Sequence, residues 1–175
     1  HNRRDFLKTA ALAGGAVALS GLTGCAMGSR PRGHVVVVGG GYGGATAAKY
    51  LRMWSQKGVD VTLVERNPQF ISCPISNLVI GGDKQMADIT MSYTGLRDTW
   101  GVKVIEDSVI ALDAAARKLR LASGGELGYD RLVLSPGVDF MFEQVPGLER
   151  EEARSRVLHA WKAGAQTVAL RKQLE

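Results

Sequence analysis

Four consecutive valines, Val35 to Val38, form an apolar run with no alternation, the pattern of a short strand covered on both faces. The run breaks at Gly39, Gly40 and Gly41, followed by Tyr42, Gly43 and Gly44. Good helix formers fill Ala45–Leu51, so a helix is predicted over 43–56, closing near Gly58. A second buried run, Val61–Val64, ends at Glu65, and Pro68 forbids its continuation. Residues 70–82 are apolar but broken by Cys73, Pro74, Ser76 and Asn77, which makes a poor strand and, at its start, a poor helix. Residues 83–90 read as loop, 91–100 as holding a short helix ended by Gly101, and 102–105 as a strand. Segments 108–112, 118–121 and 127–129, separated by turn residues, predict a small antiparallel meander. A further buried strand at 131–134 runs into Ser135-Pro136-Gly137, and an amphipathic helix is expected over 160–174. The order strand–helix–strand with buried parallel-type runs predicts an α/β, Rossmann-like fold carrying a β-meander.

The glycine turn carries the chemistry. Gly39-x-Gly41-x-x-Gly44 between a strand and a helix is the dinucleotide fingerprint. Gly39 permits the tight turn, Gly41 lets the backbone approach a pyrophosphate, and Gly44 lets the helix pack closely on the strand. The helix start offers N–H groups and a partial positive charge to the phosphates. Glu65 lies 21 residues after Gly44, near the spacing of about 20 expected of an acid that accepts from ribose hydroxyls. Gly43 and Arg66 adjoin these residues and complete the group expected at the cofactor.

Charge narrows the choice of partner. The net charge is +5, but the first 32 residues hold five basic side chains against Asp5 alone. The remaining residues are almost balanced, so no nucleic-acid surface is expected. The chain begins at His1 and ends within an amphipathic pattern, and is read as the front part of a longer protein. Asn2-Arg3-Arg4-Asp5-Phe6-Leu7-Lys8, followed by an uncharged stretch over 9–23, resembles a twin-arginine export signal. That stretch is too short and too small-residued for a spanning helix of about 20 apolar residues. Such a signal implies the twin-arginine translocase as an export partner, a periplasmic destination, and passage of an already folded domain. Leu22-Thr23-Gly24-Cys25 resembles a lipobox that would anchor the mature protein through Cys25, while small-x-small positions beside it equally suit ordinary cleavage.

The segment Cys73-Pro-Ile-Ser76-Asn77-Leu-Val79-Ile80-Gly81-Gly82-Asp83 resembles the flavoprotein subunit of flavocytochrome c sulfide dehydrogenase. Tyr129-Asp130 followed by Pro136-Gly137, and His159-Ala160-Trp161-Lys162-Ala163-Gly164, fit the same pattern. Pro74 departs from it, standing where the family has a bulkier or aromatic residue. The resemblance implies an FAD-binding domain over 33–145, after a signal and linker over 1–32. Residues 146–175 would then lead to a second dinucleotide domain. It also implies that Cys73 is bonded as a thioether to the flavin, that Val109 passes the adenine, and that Pro136 and Gly137 approach the FAD. Taken alone, Cys73 reads as a small packing cysteine. His159 and Trp161 are expected to pack or cap rather than to catalyse. The family oxidises sulfide at a redox-active disulfide and passes electrons through FAD to a c-type cytochrome subunit. Cys25 and Cys73 cannot form that disulfide, so no catalytic residue is assigned within these 175 residues. Two alternatives stay open: an exported oxidoreductase of sulfide:quinone type, and a non-catalytic FAD-binding module.

Overall fold

Parallel pairing of four short runs builds the sheet. The computed structural model describes residues 31–175; the twin-arginine pattern and Cys25 lie outside the described residues. Strand β1 (His34–Val38) pairs on one side with β2 (Asp60–Glu65) and on the other with β9 (Arg131–Leu134), and β5 (Lys103–Glu106) adds to β2. All three pairings are parallel, in the order β5-β2-β1-β9. In register, Val36 faces Thr62 on one side and Leu132 on the other.

Cover on both faces explains why β1 is apolar from Val35 to Val38. Successive side chains of a strand point to opposite faces. Val35 and Val37 join Leu63, Val102 and Tyr93 in one core cluster beneath helix α1 (Tyr42–Trp54), which contributes Ala48. Val36 joins Val64, Leu119 and Leu121 in a second cluster on the other face. That face is covered by the antiparallel meander β6 (Val109–Asp113), β7 (Lys118–Leu121) and β8 (Glu126–Gly128). The β7 pattern is strictly alternate, with Leu119 and Leu121 buried between exposed Lys118 and Arg120.

The structure departs from the sequence reading in four places. First, α1 is closed not by Gly58 but by Gln56 and Lys57, both in the left-handed region at φ 52° and 62°. Their N–H groups return to Met53 O and Arg52 O. Arg52 drives this ending: it is buried, and it donates to the carbonyls of Trp100, Lys57 and Val59. Second, the short helix expected within 91–100 is present but does not start the segment. Met91 and Ser92 belong to β4 (Thr90–Ser92), paired antiparallel with β3 (Gln69–Ile71), and only Thr94–Asp98 is helical (α3). Third, the loop read over 83–90 contains a 3-10 turn, Met86–Ile89, that seats Ile89 in the interior. Fourth, the last helix, α5 (Ala165–Leu174), begins later than the pattern suggested. Gly164 N–H donates to Thr167 Oγ1 at 3.1 Å, fixing the start there. Before it, Glu151–Arg156 forms a short helix, α4. Helix α5 packs on α2 (Ser76–Ile80), the short helix after Cys73.

Among the described residues, no helix is long and apolar enough to cross a membrane.

Candidate functional site

The site lies at the C-terminal ends of β1 and β9. The chain leaves β1 toward β2 and returns on the other side as β9, so this is the point where strand order reverses. Ligands of open α/β sheets sit outside such points. A cleft of about 370 Å³ opens there. Gly39, Glu65, Arg66, Val109, Pro136 and Gly137, all singled out from the sequence, line it. Gly41, Gly43, Gly44 and Cys73 do not.

The glycines divide by what a side chain would meet. A Cβ on Gly39 would stand 2.0 Å from Ser135 O, and its φ of +94° lies in the region that favours glycine. A Cβ on Gly44 would stand 1.8 Å from Gly39 O, so this residue sets how closely α1 approaches β1. Gly41 is different. Its φ of −69° is open to any residue, and nothing lies within 4 Å of its Cβ position. Gly41 is the N-cap of α1, makes no side-chain cap, and no acidic residue occupies the first turn. The N–H groups of that turn are therefore left to water or to an anion.

Glu65 closes the other side of the turn. Its Oε2 accepts from Gly40 N–H at 2.6 Å. Its Oε1 accepts from both the backbone N–H and the side-chain amide of Asn67, at 2.8 and 2.7 Å. Three donors thus hold the carboxylate at the cleft wall, and a carboxylate has about four lone-pair sites. Nearby, the Ser123 hydroxyl and the Ser108 N–H hold the Asp107 carboxyl below the usual carboxylate range.

Arg66 reaches across the cleft to Asp139, with Nη2 3.3 Å from Oδ2. Asp139 is gripped by Lys162 Nζ at 2.8 and 2.9 Å. Lys162 is the chief cause of the lowered Asp139 pKa, with the Phe140 N–H next. Cys73 is exposed, in the bend after β3, and its Sγ accepts from Ala163 N–H at 3.5 Å. The thiol therefore meets the segment between Lys162 and Gly164 rather than the cleft. His159 packs tilted and Trp161 edge-on against Phe140, with ring centroids 4.4 and 5.0 Å away.

Sequence reasoning missed Tyr93, Asn67 and Asp139. Tyr93 is 4% exposed and its hydroxyl donates to Gly40 O at 3.0 Å. Its pKa is pushed up to about 12, chiefly by burial and then by the Glu65 charge. No local signal marks a residue 53 positions away as a neighbour of the turn. Asn67 was legible in principle, since an Asn two residues beyond an acid can hydrogen-bond back to it.

The family described as pyridine nucleotide-disulphide oxidoreductase matches residues 33–172. The twin-arginine translocation signal sequence matches residues 1–20, so the chain carries an export signal. The chain is 58% identical over 46 residues to the sulfide dehydrogenase [flavocytochrome c] flavoprotein chain of Chlorobaculum thiosulfatiphilum, covering 26% of this chain and 94% of that sequence. It is 30% identical over 122 residues to the sulfide-quinone reductase of Aquifex aeolicus, covering 70% of this chain and 27% of that protein. The solved sulfide:quinone oxidoreductase of Aquifex aeolicus superposes with a TM-score of 0.68 at 27% identity, covering 81% of this chain and 31% of that one. The chain thus spans about a quarter to a third of the Aquifex protein.

Proposed function

The chain belongs to the pyridine nucleotide-disulphide oxidoreductase family, and we propose that its cleft holds the adenosine diphosphate part of FAD in an exported sulfide-oxidising flavoprotein. One observation carries this reading. The glycine turn, an uncapped helix start free of acidic side chains and the Glu65 carboxylate converge at the point where strand order reverses. The residues fit the group. The open space at Gly41 admits a pyrophosphate to the N–H groups of α1, with Gly39, Gly43 and Gly44 keeping the turn bare. Glu65, fixed by Gly40 and Asn67, presents its remaining acceptor capacity to the ribose hydroxyls. Arg66 and Val109 line the adenosine side, and Pro136 and Gly137 lead the chain past the cofactor.

FAD supplies the chemistry of taking an electron pair from a sulfur donor and releasing electrons singly. This chain's part is binding and orientation. Cys73 tethers the flavin as a thioether. The physiological donor is sulfide, and the electrons go to a c-type cytochrome subunit in the periplasm, with Cys25 as a site of lipid anchoring. Likeness to the Chlorobaculum flavoprotein chain supports this assignment. The longer match to the Aquifex sulfide-quinone reductase supports a second reading, in which a quinone takes the electrons.

The test uses the intact protein. After acid precipitation, flavin absorbance should remain with the polypeptide, and Cys73→Ala should release it to the supernatant. Flavin released from the unaltered protein would refute the tether; no flavin in either fraction would refute the cofactor. Sulfide-dependent reduction of cytochrome c, and not of a soluble quinone, is expected; the reverse favours the second reading.

A further inference from the structure

Gly40, the one fingerprint-region glycine with no assigned role, is gripped on both of its backbone groups. Its N–H donates to Glu65 Oε2 at 2.6 Å, and its carbonyl accepts from the Tyr93 hydroxyl at 3.0 Å. The Tyr93 ring belongs to the cluster that holds Val35, Val37 and Ala48 beneath the turn. The ring is therefore fixed by packing, and its single polar atom emerges at the turn's underside. A buried hydroxyl in such a place makes a hydrogen bond or costs stability, but a bond to any carbonyl of the core would serve that end. This one goes to the residue between the two glycines that face the ligand. The residue before Gly40 is locked as well: Gly39 N–H donates to Val64 O at 2.8 Å. The peptide planes leading into Gly41 are thus set before any ligand arrives.

We infer that Tyr93 is a positioning residue of the dinucleotide turn, its hydroxyl acting with Glu65 to hold the Gly40 peptide so that Gly41 and the first turn of α1 face the phosphates. This rests on the proposed reading of the cleft as an adenine dinucleotide site. Preorganised donors bind tightly because less ordering remains to be done on association. Removing the hydroxyl leaves the Gly40 carbonyl unpaired and the turn free to sample other peptide orientations. Losing one such hydrogen bond should weaken binding about tenfold.

The experiment uses flavin-stripped intact protein in the Cys73→Ala background, so that binding is reversible, with ADP and riboflavin as probes. Tyr93→Phe should weaken ADP about tenfold and leave riboflavin unchanged, because riboflavin carries neither the phosphates nor the adenosine that the turn faces. It should also speed amide hydrogen exchange at Gly40 and Gly41 more than in the β2 and β5 strands. A merely structural Tyr93 would lower the melting temperature while leaving ADP affinity and the turn amides alone, and that result overturns the inference. If Tyr93→Phe does not fold, the unaltered protein decides: a Tyr93 hydroxyl proton protected from solvent exchange without ligand is required, and rapid exchange of that proton overturns it. Failure of the unaltered protein to bind ADP would sink the cleft assignment itself, and the inference with it. Binding of ADP with equal affinity by both proteins would sink the inference alone.

Discussion

Replacing Gly41 and Gly44 in turn should separate ligand binding from stability. Ala at 44 places its Cβ 1.8 Å from the Gly39 carbonyl oxygen and 3.3 Å from Val37 Cγ1. The obstacle is backbone, so α1 must withdraw by about 1.5 Å to reach ordinary contact distance, prying Ala48 from the core it shares with Val37. Overpacking of this kind costs about 1–3 kcal/mol, and a rigid obstacle argues for the upper end. For a domain of this size that lowers the melting temperature by roughly 6–12 °C. The Cβ of Val at 41 meets no atom within 4 Å, and the residue keeps an allowed φ of −69°. It loses only a favourable N-cap residue, worth less than about 1 kcal/mol. Its branched side chain, however, occupies the approach to the N–H groups of α1, and ADP affinity should fall at least about a hundredfold, roughly 2.7 kcal/mol. Urea unfolding and calorimetric titration with ADP on flavin-stripped Cys73→Ala protein measure both quantities. Unchanged ADP affinity in Gly41→Val, or a stability loss there equal to that of Gly44→Ala, would refute the division of labour.

Tyr93 should report on the alkaline side. Its pKa is raised to about 12 from 10.0, so folding favours the neutral phenol. That contribution is intact below pH 10 and is lost as the pH rises toward 12, by at most about 2.7 kcal/mol. Unfolding free energies across this window should slope downward in the unaltered protein and more shallowly in Tyr93→Phe; parallel slopes would count against it. Arg52→Met should cost about 2–4 kcal/mol in urea unfolding, because the carbonyls of Trp100, Lys57 and Val59 lose their common donor. A loss below about 0.5 kcal/mol would show those carbonyls to be hydrated instead. Glu65→Gln should weaken ADP binding and leave riboflavin binding unaltered, as titration of the two probes will show.

Much of this architecture is legible in the residues because it follows from short-range pattern. An unbroken valine run demands cover on both faces, and it received α1 on one and the meander on the other. The glycine spacing and the acid after Val64 place the turn and Glu65 together, because both end adjacent parallel strands. What was hidden depends on long-range packing. Nothing near Met91 or Ser92 distinguishes a three-residue strand from the start of a helix; the pairing with Gln69–Ile71 decides it. Gly58 looked like the helix stop, yet buried Arg52 pulls in the carbonyls of Lys57 and Val59 and forces the two preceding residues into the left-handed region. Tyr93 is the most consequential omission. By sequence it is an aromatic at helical spacing, and only the folded chain sets its hydroxyl against the Gly40 carbonyl. The contact between Ala163 and Cys73 is of the same kind, joining residues 90 positions apart.

The central claim is that a bare glycine turn and the Glu65 carboxylate together hold an adenine dinucleotide. A crystal structure of the intact protein with its flavin tests this most directly. The account predicts the pyrophosphate against the first turn of α1 beside Gly41, with ribose hydroxyls donating to Glu65. Flavin found elsewhere on the molecule, with this cleft filled only by solvent, would contradict it.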